Sequence, residues 1–298
     1  MNMQTKQQIQ RLLESAGTRP VKRLGQHFLI DLNLMRLLLD SAQIGKDDVV
    51  LEVGCGTGSL TQAIAEKAGH CVAVELDENL ARIAEEQLAK HRNVTVVNTD
   101  ILDTKNAISK DVTELLQNYR EMCPGRFVLV ANLPYNAAAS VMMNLVTGPT
   151  TAEAMYVTVQ KEVAERMAAS PGNSDYGKLS ILLSATGNVE KIRILKPGVF
   201  WPQPQVDSAM IGFVKSEQKA SRIGNMGLFG EVVSLFMGHR RKMLKSAIKS
   251  AKGRLAEITN WQGIFAGASV DPHTRPDRLA PETYVTIAKL CAEQSKQD

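Results

Sequence analysis

The chain has 298 residues, of which 44% are hydrophobic and 22% charged, and its net charge is +4; this composition excludes a mainly disordered chain. Its four cysteines form no Cys-x-x-Cys pair and no histidine cluster lies beside them, which argues against a disulfide framework and a zinc site and predicts a reducing compartment. No apolar stretch has the length of a signal-peptide core or a membrane span, so we expect a cytoplasmic protein that binds neither membrane nor metal.

Short apolar segments alternate with helical segments through most of the chain. Helical spacing of apolar residues follows the first two strand candidates, from Ser59 to Lys67 and from Leu80 to Leu88. The strand candidates in chain order are Val49 to Val53, Cys71 to Glu75, Val94 to Val97, Phe127 to Val130, Met155 to Val159 and Ile211 to Val214. This alternation predicts an α/β fold, a parallel sheet with helices on both faces.

The composition changes toward the C-terminus. Ser216 to Gly227 is polar and contains glycine, and the helical segments that follow are interrupted at Gly253, Gly263 and Pro272. We therefore expect two domains, a larger one over residues 1–215 and a smaller helical one over residues 216–298.

A glycine-rich turn follows the first predicted strand. The glycines of Leu51-Glu52-Val53-Gly54-Cys55-Gly56-Thr57-Gly58 let the backbone turn tightly and approach a ligand without a Cβ in the way. The G-x-G-x-G spacing lacks the third glycine position of a dinucleotide fingerprint, and no Gly-Lys-Ser/Thr follows it to form a P-loop. A glycine turn that binds no ligand is the alternative interpretation.

Acidic residues end the next two predicted strands. Glu75 lies 21 positions after Gly54, where a carboxylate can accept hydrogen bonds from both ribose hydroxyls of a nucleoside, and Asp100 follows the third strand. Because the carboxyl ends of parallel strands share one edge of the sheet, these residues are predicted to face one crevice. Any one of the acids alone also fits a helix cap.

The segment Asn132-Leu133-Pro134-Tyr135 follows the strand Phe127 to Val130 and is predicted to lie at the same edge. If this segment binds an adenine base, it must make the amino group reactive. The amino nitrogen of adenine is a poor nucleophile because its lone pair is delocalised into the ring. The Asn132 side-chain oxygen and the Leu133 or Pro134 carbonyl are predicted to accept its protons, so that the lone pair points at a sulfonium methyl group while Tyr135 stacks on the base. A plain strand-ending turn is the alternative interpretation.

A second aromatic segment, Phe200-Trp201-Pro202-Gln203-Pro204, cannot be helical because of its prolines. We predict that it exposes its aromatic rings, Phe200 among them, for stacking on a splayed-out base. Ordinary loop packing is the alternative interpretation.

These motifs together resemble those of the ribosomal RNA adenine N6-dimethyltransferases, specifically the bacterial enzymes that act on the small subunit. The matching motifs run through nearly the whole chain and are Leu24 to Leu29, Leu51 to Gly58, Val74 to Asp77, Asn132 to Asn136, Gln160 to Val163, Tyr176 to Ser180, Phe200 to Ala209, Arg240 to Lys242 and Arg275-Pro276.

The resemblance implies a Rossmann-like class I methyltransferase fold with S-adenosyl-L-methionine as its cofactor. Residues 1–215 would then be the catalytic domain and residues 216–298 the RNA-binding domain. The cofactor contacts that the resemblance implies are His27, Leu29, Gly54, Glu75, Asp100 and Asn132. We add Gly56 of the glycine turn to these predicted contacts. The implied reaction places two methyl groups on each of two adjacent adenosines near the 3′ end of small-subunit (16S) RNA, in the subunit or its assembly precursor.

Positive charge is concentrated in one region. Residues 190–260 contain 13 Lys and Arg against 5 Asp and Glu, a net charge of +8 that leaves −4 for the rest of the chain. Cations recur at intervals of four, four and three from Arg241 to Lys252, which predicts one basic face of a helix that binds RNA phosphates. The residues assigned to RNA binding are Lys22, Arg23, Arg240, Arg241, Lys242, Lys245 and Lys249. A solvated helix face without a partner is the alternative interpretation.

Two other functions compete with small-subunit methylation. One is that of the large-subunit adenine methyltransferases that confer antibiotic resistance, against which the additional C-terminal region with Arg275 to Leu279 argues. The other is a non-catalytic RNA-binding or ribosome assembly factor, against which the intact residues Gly54, Glu75, Asp100 and Asn132 argue. Nothing in the sequence requires a dimer, so we expect a monomer.

Overall fold

The computed structural model describes residues 3–294, and its largest element is a sheet of seven strands. The strands in chain order are β1 (Phe28–Leu29), β2 (Val49–Val53), β3 (His70–Glu75), β4 (Val94–Asn98), β5 (Leu102–Thr104), β6 (Ala107–Ile108), β7 (Phe127–Asn132), β8 (Ala154–Gln160), β9 (Gly187–Leu195), β10 (Phe200–Trp201) and β11 (Ser208–Lys215). The large sheet has the order β4-β3-β2-β7-β8-β11-β9, while β1 pairs with β10 and β5 with β6.

All six predicted strands are present in the large sheet. Strands β4, β3, β2, β7 and β8 run parallel to one another, and every residue of β2 and β3 is buried. Burial on both faces explains why these strands are mostly apolar in the sequence. The prediction of a wholly parallel sheet is wrong at β11, which pairs antiparallel with β8 and makes the sheet mixed.

Thirteen α-helices lie within the described residues. They are α1 (Lys6–Ser15), α2 (Leu32–Ala42), α3 (Ser59–Ala65), α4 (Glu78–Leu88), α5 (Lys110–Met122), α6 (Ala138–Thr147), α7 (Lys161–Met167), α8 (Lys178–Thr186), α9 (Glu217–Ala220), α10 (Met226–Gly238), α11 (Leu244–Ala247), α12 (Trp261–Gly267) and α13 (Pro281–Gln294). Short 3₁₀ turns lie at Lys22–Leu24, Pro197–Val199, Ile248–Ser250, Gly253–Ala256 and Pro276–Arg278. Helices α3 and α4 are the next elements after β2 and β3, as the apolar spacing predicted.

The chain divides into two compact units. The first contains the residues up to Ala164 together with Glu190–Val214, and the second contains Glu165–Val189 together with the residues from Lys215 onward. This division differs from the predicted contiguous domains, 1–215 and 216–298, in the segment Glu165–Val189. The reason is that α8, within this segment, packs against α10 and α13 of the second unit.

The predicted basic helix from Arg241 to Lys252 does not form as one helix. Helix α11 has only four residues, and the backbone at Lys252 is extended. The amide nitrogens of Leu244 and Lys245 donate to the carbonyl oxygens of Thr274 and Pro272, so tertiary contacts replace the bonds that would continue a helix from Arg241. The prediction of one basic helix face is therefore wrong, although the cations themselves remain at the surface.

Two further observations concern the described part of the chain. No helix within residues 3–294 combines the length and the apolar composition needed to cross a membrane. In the same residues, no group of three or more His, Cys, Asp or Glu side chains is arranged to hold a metal ion.

Candidate active site

The carboxyl ends of β2, β3 and β7 border one cavity of about 230 Å³ in the first unit. The predicted site residues that line it are His27, Leu29, Gly54, Gly56, Glu75, Asp100, Asn132, Leu133, Pro134 and Tyr135. The structure therefore brings together all seven predicted cofactor contacts and the whole Asn132–Tyr135 segment. Phe200 is not among the residues that line the cavity.

The glycine turn after β2 is closely packed. Gly54 has φ +75° and Gly56 has φ +59°, both in the left-handed region that favours glycine. A Cβ at Gly54 would lie 3.0 Å from Cγ of Pro134, and a Cβ at Gly56 would lie 2.9 Å from Cε1 of Phe28. A side chain at either position would therefore push against a neighbour as well as strain the backbone, and the turn lies directly against the Asn132–Tyr135 segment.

Glu75 ends β3 inside the cavity and is only 6% exposed. Its Oε2 accepts a hydrogen bond from the Gly56 amide at 2.8 Å, and its Oε1 accepts one from the Asp77 amide at 3.0 Å. Burial raises the pKa of this carboxyl. A carboxylate oxygen can accept more than one hydrogen bond. Both oxygens of Glu75 can therefore still accept hydrogen bonds from the hydroxyls of a ligand.

Asp100 lies at the same cavity in a more open position. Its side chain is exposed, and its Oδ1 accepts a hydrogen bond from the Leu102 amide at 2.9 Å. The bond fixes one carboxylate oxygen by the loop after β4 and leaves the other available to a polar ligand group.

Glu52 is a cavity residue to which the sequence analysis assigned no role. It is 2% exposed in β2, one residue before the strand ends, and no hydrogen bond within the described residues reaches its Oε2, although the Thr61 hydroxyl lies close enough to favour the charged carboxylate. Burial raises the pKa of this carboxyl to about 8. A buried acceptor without a partner is costly, so the site favours a ligand that brings a cation or a donor to this oxygen. The sequence did contain a sign of this residue's role, because Glu52 is the one acid in an otherwise apolar five-residue strand.

The Asn132 side chain is held at both ends of its amide. Its Nδ2 donates to the main-chain oxygen of His27 at 2.7 Å, and its Oδ1 accepts from the hydroxyl of Thr158. The amide keeps one acceptor position and one N–H that these two bonds do not use. Thr158 was not among the predicted site residues, because only the pairing of β7 with β8 shows that it lies beside Asn132.

The two candidate carbonyls of the segment differ in their partners. The Pro134 oxygen accepts hydrogen bonds from the amides of Ala137 and Ala138, each at 3.1 Å, where α6 begins. Within residues 3–294, no backbone or side-chain group donates a hydrogen bond to the Leu133 oxygen. The sequence left both carbonyls open as acceptors for a base, and these contacts favour Leu133.

Tyr135 is fixed by a ring contact and a hydrogen bond. Its ring stacks on His27 with centroids 5.3 Å apart, and its hydroxyl shares a hydrogen bond of 2.8 Å with Ser208. Burial raises the pKa of the Tyr135 hydroxyl, so the phenol stays protonated at neutral pH. His27 is held in turn, since its Nδ1 donates to the Pro202 carbonyl at 2.6 Å, a group that can only accept.

The prediction that Phe200 is exposed is wrong. Its side chain is 1% exposed and belongs to a hydrophobic cluster that also contains Leu29. Strand β10 pairs with β1, and successive side chains of a strand point to opposite sides. Phe200 therefore points into the core, while the half-exposed Trp201 stacks on Phe28 with centroids 6.1 Å apart.

Comparison with known proteins assigns the chain to a family. A sequence model of the family described as ribosomal RNA adenine dimethylase matches residues 18–292. This chain belongs to the ribosomal RNA adenine dimethylase family. It is 36% identical over 277 residues to the ribosomal RNA small subunit methyltransferase A of Lactiplantibacillus plantarum, which covers 93% of this chain and 91% of that protein. It is also 36% identical over 281 residues to the protein of the same name from Alkaliphilus metalliredigens, covering 94% and 95% of the two chains.

Solved structures support the fold of this family member. A dimethyladenosine transferase from Plasmodium falciparum matches it with a TM-score of 0.69 at 20% identity, over 89% of this chain and 97% of the other. The 23S rRNA methyltransferase ErmE matches it with a TM-score of 0.58 at 22% identity, over 88% and 98%. At these identities the likeness concerns the fold alone, and it confirms the predicted Rossmann-like α/β methyltransferase fold.

The cations predicted to bind RNA fall on both units of this family member. The exposed ones are Lys22 and Arg23 in the first unit, and Arg241, Lys242, Lys245 and Lys249 in the second. Arg240 differs, because it is half-buried, lies 3.7 Å from a carboxylate oxygen of Asp277 and donates to the Asn173 carbonyl at 3.1 Å. Arg240 is therefore partly committed to the second unit's own structure, which limits its capacity for phosphate.

Proposed function

We propose that this protein transfers methyl groups from S-adenosyl-L-methionine to N6 of two adjacent adenosines near the 3′ end of small-subunit (16S) ribosomal RNA. The contact between Gly54 and Pro134 is the observation that carries the proposal, because it joins the nucleoside-binding turn to the base-binding segment. The relatives named ribosomal RNA small subunit methyltransferase A support the choice of RNA.

The cavity fits S-adenosyl-L-methionine at several points. Glu75 offers two carboxylate oxygens to the ribose hydroxyls, and the glycine turn leaves room that a side chain would fill. The partnerless Oε2 of Glu52 suits the cofactor's ammonium group, which would also favour the ionised carboxylate. Asp100 and His27 line the same cavity. When bound, the cofactor supplies a methyl group on a positively charged sulfonium.

The protein's own residues make the adenine amino group reactive. We assign the free acceptor position of Asn132 Oδ1 and the Leu133 carbonyl to the two amino protons, which directs the nitrogen lone pair out of conjugation with the ring. Tyr135 holds the base by stacking. After the first transfer the nitrogen keeps one proton, which needs only one of the two acceptors, so the same site would serve the second methylation; each transfer would release one proton from the nitrogen to water.

RNA binding is assigned to exposed cations on both units. Lys22 and Arg23 directly precede Leu24, Gly25 and Gln26, which line the cavity. We assign them to phosphates flanking the methylated bases, and we assign the exposed cations of the second unit to further phosphates. Such contacts bind without reading sequence, so the target is selected by RNA shape and by which bases can leave their stack.

The proposal is tested with immature small ribosomal subunits that lack the modification and with cofactor labelled in its methyl group. We expect label in small-subunit RNA, recovered as N6,N6-dimethyladenosine. Label in large-subunit RNA would support the resistance-type activity instead, and tight RNA binding without label would support a non-catalytic assembly factor. Asn132→Ala is the control for contaminating activity; it should lose turnover while cofactor affinity changes little.

A further inference from the structure

Thr158 is a buried polar residue that lies beside the base-binding segment. It is 1% exposed in β8, where its neighbours in the strand, Val157 and Val159, are also buried. A hydroxyl at such a position needs a partner, because water does not reach it. The partner is the side chain of Asn132.

The strand register fixes the relation between these residues. Thr158 is paired with Asn132, the last residue of β7, in the parallel pair of β7 and β8. The amide of Leu133 donates to the main-chain oxygen of Thr158 at 3.1 Å. Thr158 thus holds the main chain of the segment with its carbonyl and the Asn132 side chain with its hydroxyl.

The direction of the side-chain bond determines which end of the Asn132 amide meets the base. An amide oxygen only accepts hydrogen bonds, so the Thr158 hydroxyl is the donor. The Nδ2 of Asn132 donates to the His27 main-chain oxygen on the other side. If the Asn132 amide were rotated by 180°, its oxygen would face the main-chain oxygen of His27, and two acceptors would meet. Its NH₂ group would then face the amino group of the target adenine, and two donors would meet.

We propose that Thr158 is a positioning residue for methyl transfer. Its hydroxyl keeps the Asn132 amide in one orientation, so that the remaining acceptor position of Oδ1 is ready for the amino group of the target adenine. The inference rests on the proposed function, because it requires Asn132 to bind the reacting base. It adds a residue that does not line the cavity and would act through Asn132.

The test compares two substitutions that separate the hydroxyl from the methyl group of the side chain. Thr158→Val keeps the shape and removes the donor, while Thr158→Ser keeps the donor. Thr186→Val is the matched control, because Thr186 is equally buried and its hydroxyl donates to the Leu182 carbonyl within α8. Single-turnover methylation of immature small subunits, calorimetric cofactor affinity and urea unfolding are measured for each variant.

We expect Thr158→Val to lower the methylation rate about tenfold while the cofactor Kd changes less than about twofold. Thr158→Ser should restore the rate to within about threefold of wild type, and Thr186→Val should lose stability without losing rate. A Thr158→Val rate equal to wild type, or a Thr158→Ser rate as low as that of Thr158→Val, would overturn the inference. Equal losses of rate and cofactor affinity would also overturn it, since they would indicate a merely structural role.

Two additions keep the outcomes distinct. If Thr158→Val does not fold, the methylation rates of Thr158→Ala and Thr158→Ser are compared instead, since only the serine variant keeps the hydroxyl. The side-chain NH₂ resonances of Asn132, assigned by their absence from Asn132→Ala, should shift in Thr158→Val and not in Thr186→Val. If wild-type protein methylates no RNA, the proposed function fails; if wild type is active and Thr158→Val equals it in rate and in these resonances, only the inference about Thr158 fails.

Discussion

A Cβ atom at Gly54 would lie 3.0 Å from Cγ of Pro134, so the turn after β2 and the segment after β7 touch at the point where a side chain is missing. Strands β2 and β7 are neighbours in the sheet, which brings the two loops together at one edge. A ligand on the glycine turn and a base on the Asn132–Tyr135 segment would therefore be adjacent, as a direct transfer between them requires.

Gly54→Ala should weaken cofactor binding by at least about tenfold and destabilise the fold by about 1–3 kcal/mol, because φ +75° strains an alanine and its Cβ displaces Pro134. Calorimetric titration with S-adenosyl-L-methionine and urea unfolding measure the two effects. Gly224→Ala is the matched control, since Gly224 has φ +71° and nothing within 4 Å of its Cβ position. Gly224→Ala should lose only the stability that the strained backbone costs, and its cofactor affinity should not change. An equal loss of cofactor affinity in both variants would contradict the role given to the contact between Gly54 and Pro134.

Glu52 should make stability depend on pH. Its pKa is about 8 in the folded protein against an ordinary 4.5, so the folded state holds a proton that the unfolded state releases. The stability of the protonated carboxyl is fully present below pH 4.5 and is lost as pH rises toward 8. Between about pH 5.5 and 7, the wild type should lose about 1.4 kcal/mol per pH unit relative to Glu52→Gln.

Urea unfolding at a series of pH values, without cofactor, measures this slope. Glu85→Gln, which removes an exposed carboxylate of α4, should follow the wild type at every pH. Parallel pH profiles for Glu52→Gln and wild type would show that Glu52 is already ionised in the folded state, and the assignment of its free oxygen would need revision.

The central sheet could be predicted because its strands are buried on both faces and so form apolar runs that stand out from their surroundings. The shared edge of Gly54, Glu75 and Asn132 followed from the parallel arrangement of those strands. The direction of β11 could not be predicted, since an apolar run looks the same in either direction and only the path of the chain decides it.

Other features depend on contacts that the sequence does not display. The basic segment after α10 has helical spacing, yet Lys245 bonds through its amide to Pro272, which lies 27 positions further along the chain. Phe200 lies among prolines like an exposed loop residue, but pairing of β10 with β1 turns it inward. Thr158 gains its significance only from the register of β8 against β7.

Tyr135 should contribute to the reaction mainly through its ring. Tyr135→Ala should lower the methylation rate at limiting RNA about ten- to a hundredfold, because stacking on a base contributes about 1–3 kcal/mol. Tyr135→Phe removes only the hydrogen bond to Ser208 and should lower the rate less than about fivefold. Single-turnover methylation of immature small subunits provides the measurement.

The hydrogen bond between Tyr135 and Ser208 can be isolated by a double-mutant cycle. Ser208→Ala, Tyr135→Phe and the double variant should have equal rates, because each loses the same bond. If the double variant falls by the product of the two single effects, the hydroxyls act independently and the bond does not position the ring. An unchanged rate in Tyr135→Ala would remove the ring from the reaction altogether.

Lys245 and Lys249 should contribute phosphate contacts, since both are exposed and neither forms an ion pair in the described residues of the second unit. Changing both to Glu should weaken RNA binding and make the slope of log K against log salt shallower by about 1.5 to 2, as expected for two lost phosphate contacts. Filter binding over a range of salt concentrations measures the slope. Lys46→Glu with Lys90→Glu, two exposed lysines of the first unit, changes the net charge equally and should leave the slope nearly unchanged. If both pairs flatten the slope alike, the effect comes from the net charge of the protein and not from contacts made by Lys245 and Lys249.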